Sequence, residues 1–165
     1  MMNGTRVQAD DPFWNFLVQV HVKGSYRCTG SAINDYFVLT AAHCLLESKK
    51  SNTKIVANYL SDDFNGIYEI SKIIIHNKYN KFTRRYDFGL IKVERRLPSK
   101  FELLRPWQSL SQGQICRYAG WGADQSRFGN TSNNLNEQET FVQWTKDDQI
   151  LTRDKGGSCT AGQVY

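Results

Sequence analysis

Short runs of alternating apolar and polar residues dominate the first half of the chain, and this two-residue period is typical of β-strands. Val18, Val20 and Val22 lie on one face of the first such run, which ends at a turn containing Gly24. A second alternating run follows the turn at once, so the pattern predicts a β-hairpin. The predicted elements are strands at 16–22 and 26–33, joined by a turn at 23–25.

The same kind of pattern continues up to about residue 95. Further strands are predicted at 36–39, 54–60, 67–75 and 88–93, and a helical turn is predicted to follow the first of them through Leu46. The segment Asp62-Asp63-Phe64-Asn65-Gly66 is a turn signal between two of these strands. Short strands separated by turns, without a long helical period, predict an antiparallel all-β barrel or sandwich.

The pattern weakens between residues 96 and 110, where Pro98 and Pro106 are typical of a connector. A second β-rich segment is predicted beyond it. Residues 115–122 form a strand that ends in a Trp flanked by glycines, and residues 139–144 alternate as another strand. The segment 123–136 between them is polar and is predicted to be a loop.

Composition and charge narrow the possible function classes. The chain has 165 residues, 40% of them hydrophobic and 22% charged, which suits one globular domain with its own core. The net charge is +5, yet the basic residues show none of the motifs that accompany nucleic-acid binding. We therefore expect a solvated basic surface and no nucleic-acid partner; the basic cluster comprises Arg84, Arg85, Lys92, Arg95, Arg96 and Lys100.

No apolar run is long enough to span a bilayer, so no membrane partner is expected. The first residues lack the basic start and apolar core of a signal peptide, and none is expected in the given chain.

The most informative residues for chemistry are His43 and Asp87. A histidine that acts as a general base needs a carboxylate on its far ring nitrogen, which fixes the tautomer and stabilises the imidazolium. His43 lies in Thr40-Ala41-Ala42-His43-Cys44, and Asp87 begins a predicted strand 44 positions later. The alternatives are a buried core histidine for His43 and a capping carboxylate for Asp87.

Cys28, His43 and Cys44 could in principle be metal ligands, but an adjacent His-Cys pair does not reproduce structural zinc spacing. We expect neither a metal ion nor a cofactor. His21 and His76 are expected to be strand or loop residues without a catalytic role.

Five segments, in the same order along the chain, resemble the trypsin-like (chymotrypsin-fold) serine proteases. Thr40 to Cys44 resembles the family's histidine motif, and Asp87-Phe88-Gly89-Leu90 resembles its Asp-Ile-Ala-Leu strand. The other three are Met1 to Gly4 at the mature amino terminus, Cys28-Thr29-Gly30-Ser31, and Cys116 to Gly122 with its Gly-Trp-Gly ending.

The resemblance implies a double antiparallel β-barrel with the active site in the cleft between the barrels. It implies a single peptidase domain over 1–165, with the first barrel at about 1–95, a connector at 96–110, and a partial second barrel at 111–165. His43 and Asp87 would be the catalytic base and its carboxylate partner, and Cys28 would form a disulfide with Cys44. Such a domain would be secreted and would act on a polypeptide substrate or bind a protein partner; its oligomeric state stays open.

The family's nucleophile motif, Gly-Asp-Ser-Gly-Gly-Pro, does not occur in the sequence. In one alignment Lys155 stands at the nucleophile position; in the other, which we prefer, 150–162 resembles an earlier segment and the chain ends before the nucleophile. Ser158 is the only serine in a Gly-rich turn. We expect no working nucleophile and an inactive chain, with a non-catalytic, protease-like binding module as the alternative. The pairing of Cys116 and Cys159 stays open.

Overall fold

The computed structural model describes residues 4–57, 66–97, 111–122, 134–146 and 149–153, and for 144–146 and 149–153 it describes the backbone alone. The chain divides into two compact units. One unit comprises residues 9–104, and the other comprises residues 1–8 together with 105–165. Strands make up most of the regular structure in both units.

The unit 9–104 contains six antiparallel strands that close into a barrel. They are β2 (Leu17–Val22), β3 (Ser25–Ala32), β4 (Phe37–Thr40), β5 (Thr53–Val56), β6 (Ile67–Ile75) and β7 (Gly89–Val93), and their order around the barrel is β2-β3-β4-β7-β6-β5. A closed barrel leaves no free sheet edge, because every strand has a partner on both sides. The one-turn helix α1 (Phe13–Phe16) precedes the barrel, and 3₁₀ turns occupy Ala42–Leu45 and Lys50–Asn52.

The β2–β3 hairpin has a two-residue loop, because Val22 pairs with Ser25. Lys23 and Gly24 both have positive φ, at 54° and 80°. That combination is the type I′ turn, whose twist matches the twist of the two strands. The hairpin predicted from the sequence is therefore confirmed, with Ser25 already in the strand.

The barrel interior holds a continuous apolar core. Val20, Val38, Ile55 and Ile91 are fully buried and come from four different strands. Strand β2 is buried on both faces, since Gln19 is also buried between Val18 and Val20. A strictly alternating pattern would place Gln19 on the exposed face, so the pattern did not predict its burial. The amide oxygen of Gln19 forms a hydrogen bond with Nε2 of the His21 ring at 2.7 Å.

The second unit contains a four-stranded antiparallel sheet built around one long strand. The strands are β1 (Thr5–Arg6), β8 (Ile115–Gly120), β9 (Asn136–Lys146) and β10 (Gln149–Arg153). β8 pairs along one edge of β9, while β1 and β10 share the opposite edge. The pairing of the amino-terminal strand β1 with β9 was not predicted from the sequence.

Several predicted boundaries need correction. Phe16 belongs to α1 instead of the first strand, and Asn136 begins β9 instead of ending a loop. Residues 123–133 of that loop, most of the connector at 96–110, and residues 58–60 of a predicted strand lie outside the described residues. Among the residues that are described, no helix has both the length and the apolar character needed to cross a membrane.

Candidate active site

A 3₁₀ turn at the end of β4 presents His43. Ala42, Cys44 and Leu45 of this turn are buried, whereas His43 is only half-buried. The three apolar side chains anchor the turn on the barrel, and the imidazole is the one side chain of the four that reaches solvent. The last residue of β4, Thr40, is buried, and its hydroxyl donates a hydrogen bond to the carbonyl of Thr29 at 3.1 Å.

A disulfide fixes the same turn to strand β3. Cys28 and Cys44 are bonded, with their Cα atoms 6.2 Å apart. This distance lies within the usual range for disulfides. The pairing implied by the family resemblance is present in the structure, and it closes the segment that carries His43.

Asp87 lies just before β7, in a tight backbone turn. The Phe88 N–H donates to the Tyr86 carbonyl at 2.9 Å, so Asp87 is the central residue of a three-residue γ-turn. Tyr86 itself has a φ of 53°, which is uncommon for an aromatic residue. Such backbone strain is typical of functional sites.

Gly89 allows the His43 turn and strand β7 to approach each other closely. A Cβ at this position would lie 2.8 Å from Cδ1 of Leu45 and 2.9 Å from the carbonyl oxygen of Ile74. Real Cβ atoms do not come so close to other heavy atoms. The sequence resembles the family's Asp-Ile-Ala-Leu pattern but has Gly at the third position, and the narrow space explains why glycine fits here.

The two candidate residues meet through two hydrogen bonds. The His43 backbone N–H donates to Oδ1 of Asp87 at 2.8 Å, and Nδ1 of the His43 ring lies 2.7 Å from Oδ2. The Asp87 side chain is 2% exposed, against 36% for His43. A buried carboxylate needs such partners, because water no longer solvates it.

This geometry defines the protonation pattern of the ring. An ionised carboxylate only accepts hydrogen bonds, so Nδ1 of His43 carries the proton and the neutral ring has its lone pair at Nε2. Asp87 thus holds both the backbone and the ring of His43. His43 is half-exposed and is therefore not a buried core histidine. Asp87 does accept a backbone N–H from the 3₁₀ turn, as a capping carboxylate would, and it also accepts the ring Nδ1–H.

Nε2 of His43 lies 3.5 Å from Sγ of Cys44. Ligand atoms of Cys28, His43 and Cys44 all lie within 4.8 Å of one another, a spacing that would suit a metal ion. The two sulfur atoms are bonded to each other, however, and a metal requires thiolates. The oxidised site therefore does not offer a metal the ligand set that its spacing suggests.

The other two histidines have different surroundings. Burial of His21 lowers its pKa below the ordinary value, since the charged ring would lose solvation. His76 stacks on Tyr86 with ring centroids 5.3 Å apart, and its Nδ1 accepts a hydrogen bond from the Lys78 N–H at 3.2 Å. His76 therefore packs against the residue that precedes Asp87, a role that the sequence analysis did not predict.

Part of the basic cluster is occupied by contacts within the protein. Arg95 lies 4.0 Å over the Tyr68 ring, and Arg96 forms a salt bridge with Asp35 at 2.9 Å. Lys92 lies over the Phe37 ring at 5.8 Å. Lys100 lies outside the described residues.

Cys116 lies in β8 of the other unit, where it is half-buried and has a free thiol. Lys155, Ser158 and Cys159, on which the two alignments of the carboxyl-terminal segment depend, lie outside the described residues.

Comparison with known proteins decides the family. The family model described as Trypsin matches residues 2–160. The chain belongs to the trypsin family. The solved structure of human heparin binding protein superposes with a TM-score of 0.76 at 20% sequence identity, covering 94% of this chain and 73% of that one. This similarity confirms the predicted chymotrypsin-like fold, with one closed barrel and a partial second sheet.

The curated relatives include a chymotrypsin and a granzyme. Chymotrypsin from Phaedon cochleariae is 29% identical over 157 residues, which cover 86% of this chain and 55% of the relative. Granzyme E from Mus musculus is 29% identical over 140 residues, covering 80% of this chain and 56% of the relative. The chain thus spans little more than half the length of these curated relatives.

Proposed function

We propose that residues 1–165 form a single trypsin-like serine endopeptidase domain in which His43 is the general base and Asp87 its orienting carboxylate. The observation that carries this proposal is the pair of hydrogen bonds from His43 to Asp87, at 2.8 Å and 2.7 Å. The match of the Trypsin family model to residues 2–160 supports the chemistry. The substrate class is a polypeptide, as for the family.

In this function His43 removes the proton of an attacking hydroxyl through Nε2. The imidazolium that results lies against the buried Asp87 carboxylate, which stabilises the positive charge and keeps the ring in its orientation. Because the carboxylate also accepts the backbone N–H, it does not need to rotate when the ring becomes charged. The same proton then passes to the leaving amine when the peptide bond breaks.

We further propose that these 165 residues alone do not hydrolyse peptide bonds. The given residues hold no Gly-Asp-Ser-Gly-Gly-Pro motif. In the alignment that puts Lys155 at the nucleophile position, an amine could not form an ester-type acyl intermediate, and an ammonium group there would oppose the imidazolium. Without an activated serine the acyl-enzyme route is closed.

A fluorophosphonate probe tests the absence of a working nucleophile, and any labelling would also test the role of His43; the protonation state of the His43 ring tests that role independently. Such a probe bonds covalently to a serine only when an adjacent base has activated it. We expect no labelling of the purified, folded 165-residue chain. Labelling that disappears in His43→Ala but persists in Ser158→Ala would reveal another working nucleophile and contradict the second part. Labelling that persists in His43→Ala would contradict the role of His43.

The alternative function is a non-catalytic binding module, and one surface observation favours it. Residues 70–86 contain five basic residues and no Asp or Glu, and Phe82 within this segment is 85% exposed. An exposed aromatic ring among cations suits an acidic protein segment. Binding of an acidic peptide that is lost in Phe82→Ala and at high salt would support this function; unchanged binding in that variant would exclude it for this surface.

We propose an extracellular location. The Cys28–Cys44 disulfide is the observation that supports it, since structural disulfides persist in oxidising compartments and are rare in the cytosol.

A further inference from the structure

The contact between His43 and the disulfide points to a second reaction at this site. We propose that Cys28–Cys44 exchanges with dithiol reductants, with Cys28 as the attacked sulfur and His43 as the proton donor to the departing Cys44 sulfur. This reaction needs no serine and does not depend on peptidase activity. It uses three side chains that the structure brings together: Cys28, His43 and Cys44.

Solvent exposure distinguishes the two sulfur-bearing residues. Cys44 is 3% exposed and lies in the buried part of the His43 turn, whereas Cys28 is half-buried on β3, where it packs against the edge of the barrel core. An attacking thiolate must reach one sulfur directly, and exchange is faster where access is better. Cys28 is the less buried residue of the two, which favours attack at Cys28 with Cys44 as the leaving group.

A buried leaving thiolate needs a positive partner. Departure of Cys44 places a negative charge in a poorly solvated position, which opposes the reaction unless a proton or cation compensates it. Nε2 of His43 is 3.5 Å from this sulfur. A protonated ring at this distance can donate to the thiolate as the charge develops.

Asp87 supports the same step from the other side of the ring. Its carboxylate lies 2.7 Å from Nδ1 and stabilises the imidazolium that acts as the donor. Asp87 is thus a positioning residue for the exchange. The line of groups from Asp87 through His43 to Cys44 has the order of a catalytic triad, with a sulfur in place of the hydroxyl.

The exchange balances in two steps. A thiolate of the dithiol attacks Cys28, the sulfur–sulfur bond breaks, and its electron pair goes to Cys44, which takes a proton from Nε2 of His43. The second thiol of the reductant then attacks the mixed disulfide, releasing Cys28 as a thiol and forming the oxidised, cyclic disulfide of the reductant. Two electrons pass from the dithiol to the protein, and His43 regains its proton from water.

The first test uses the unmodified chain with a short exposure to a monothiol, so that the mixed disulfide is trapped before a second thiol reduces it. The folded protein is treated with glutathione, new thiols are alkylated at low pH, and peptides are mapped by mass spectrometry. We expect glutathione on Cys28 and alkylation on Cys44. Glutathione mainly on Cys44, or equally on both cysteines, would overturn the proposal.

The second test measures the rate at which dithiothreitol reduces this disulfide in variants of the ring. We expect His43→Ala and His43→Gln each to slow reduction by about tenfold at neutral pH, because general acid catalysis is worth at least that much. If the ring only shields the sulfur, His43→Ala will speed reduction instead. Unchanged or faster reduction in the variants would overturn the assigned role.

A matched control comes from another half-buried histidine of the same barrel. His21 bonds to Gln19, so His21→Gln should leave the reduction rate unchanged within about twofold. Circular dichroism of each oxidised variant verifies folding. The glutathione experiment requires no substitution and decides the site of attack even if a His43 variant fails to fold.

Discussion

The Asp87 carboxylate accepts two hydrogen bonds from His43, one from the backbone N–H at 2.8 Å and one from the ring Nδ1 at 2.7 Å, and only 2% of the Asp87 side chain is exposed. One side chain therefore fixes the position of a 3₁₀ turn and the orientation of the ring on it. Because the two residues are 44 positions apart in sequence, this contact joins two separate segments of the barrel.

Replacement of Asp87 by Asn should destabilise the barrel. The amide oxygen accepts one of the two N–H groups and the amide NH2 faces the other position, so a charge-assisted hydrogen bond is replaced by a weaker neutral one through a change of ring tautomer, or is lost, at a cost of about 1–3 kcal/mol. Urea denaturation measures the change in the free energy of unfolding. Asp35→Asn is the matched control, since Asp35 forms an exposed salt bridge with Arg96 and should cost less than about 1 kcal/mol. Equal effects of the two substitutions would show that the Asp87 contacts contribute no special stability.

Gly89→Ala should destabilise the protein by about 1–3 kcal/mol through overpacking. The new methyl group would meet the carbonyl oxygen of Ile74 at 2.9 Å, and backbone cannot move aside as easily as a side chain. Thermal unfolding gives the shift in Tm. At Gly122 an added Cβ meets nothing within 4 Å, so Gly122→Ala should be close to neutral. A Gly89→Ala variant as stable as the unmodified protein would show that β7 and the His43 turn have room to separate.

Burial of His21 makes the stability of the protein depend on pH. Its pKa in the folded state is lowered, so between that value and the ordinary value of about 6.5 the unfolded chain binds more protons. The free energy of unfolding then rises with pH through this window, and stability is lost as the pH falls below about 6.5.

His21→Asn should remove that part of the slope. The measurement is the free energy of unfolding of both proteins at several pH values between about 5 and 8. Above about pH 7 we expect the free energy of unfolding to vary with pH in the same way in both proteins, whereas below about pH 7 it should fall more steeply in the unmodified protein. Parallel curves over the whole range would show that His21 titrates alike in the folded and unfolded chains.

The sequence predicted most of the barrel because its strands have strong local patterns. The strand at 67–75 was predicted with the bounds that the structure has, and Gly24 indicated the hairpin turn. His43 and Asp87 were candidates, and the Cys28–Cys44 pairing was implied, because short segments resemble family motifs in the same order; the structure shows the disulfide and the His43–Asp87 contact.

What the sequence did not predict depends on contacts between distant segments. The pairing of β1 with β9 joins residues more than 100 positions apart, and no local pattern indicates it. Gln19 is buried, and its amide oxygen accepts a hydrogen bond from a histidine two positions along the same strand, a contact that no alternating pattern indicates. The positive φ of Tyr86 follows from the turn that holds Asp87, and an aromatic residue gives no sign of it.

The protonation state of the His43 ring tests the central claim most directly. Two-dimensional ¹H–¹⁵N spectra of the histidine side chains, at mildly alkaline pH, distinguish a ring protonated at Nδ1 from one protonated at Nε2. We predict that His43 carries its proton at Nδ1, with a downfield proton signal that disappears in Asp87→Asn. A His43 ring protonated at Nε2, or a spectrum unchanged in Asp87→Asn, would contradict the assignment of this pair as base and orienting carboxylate.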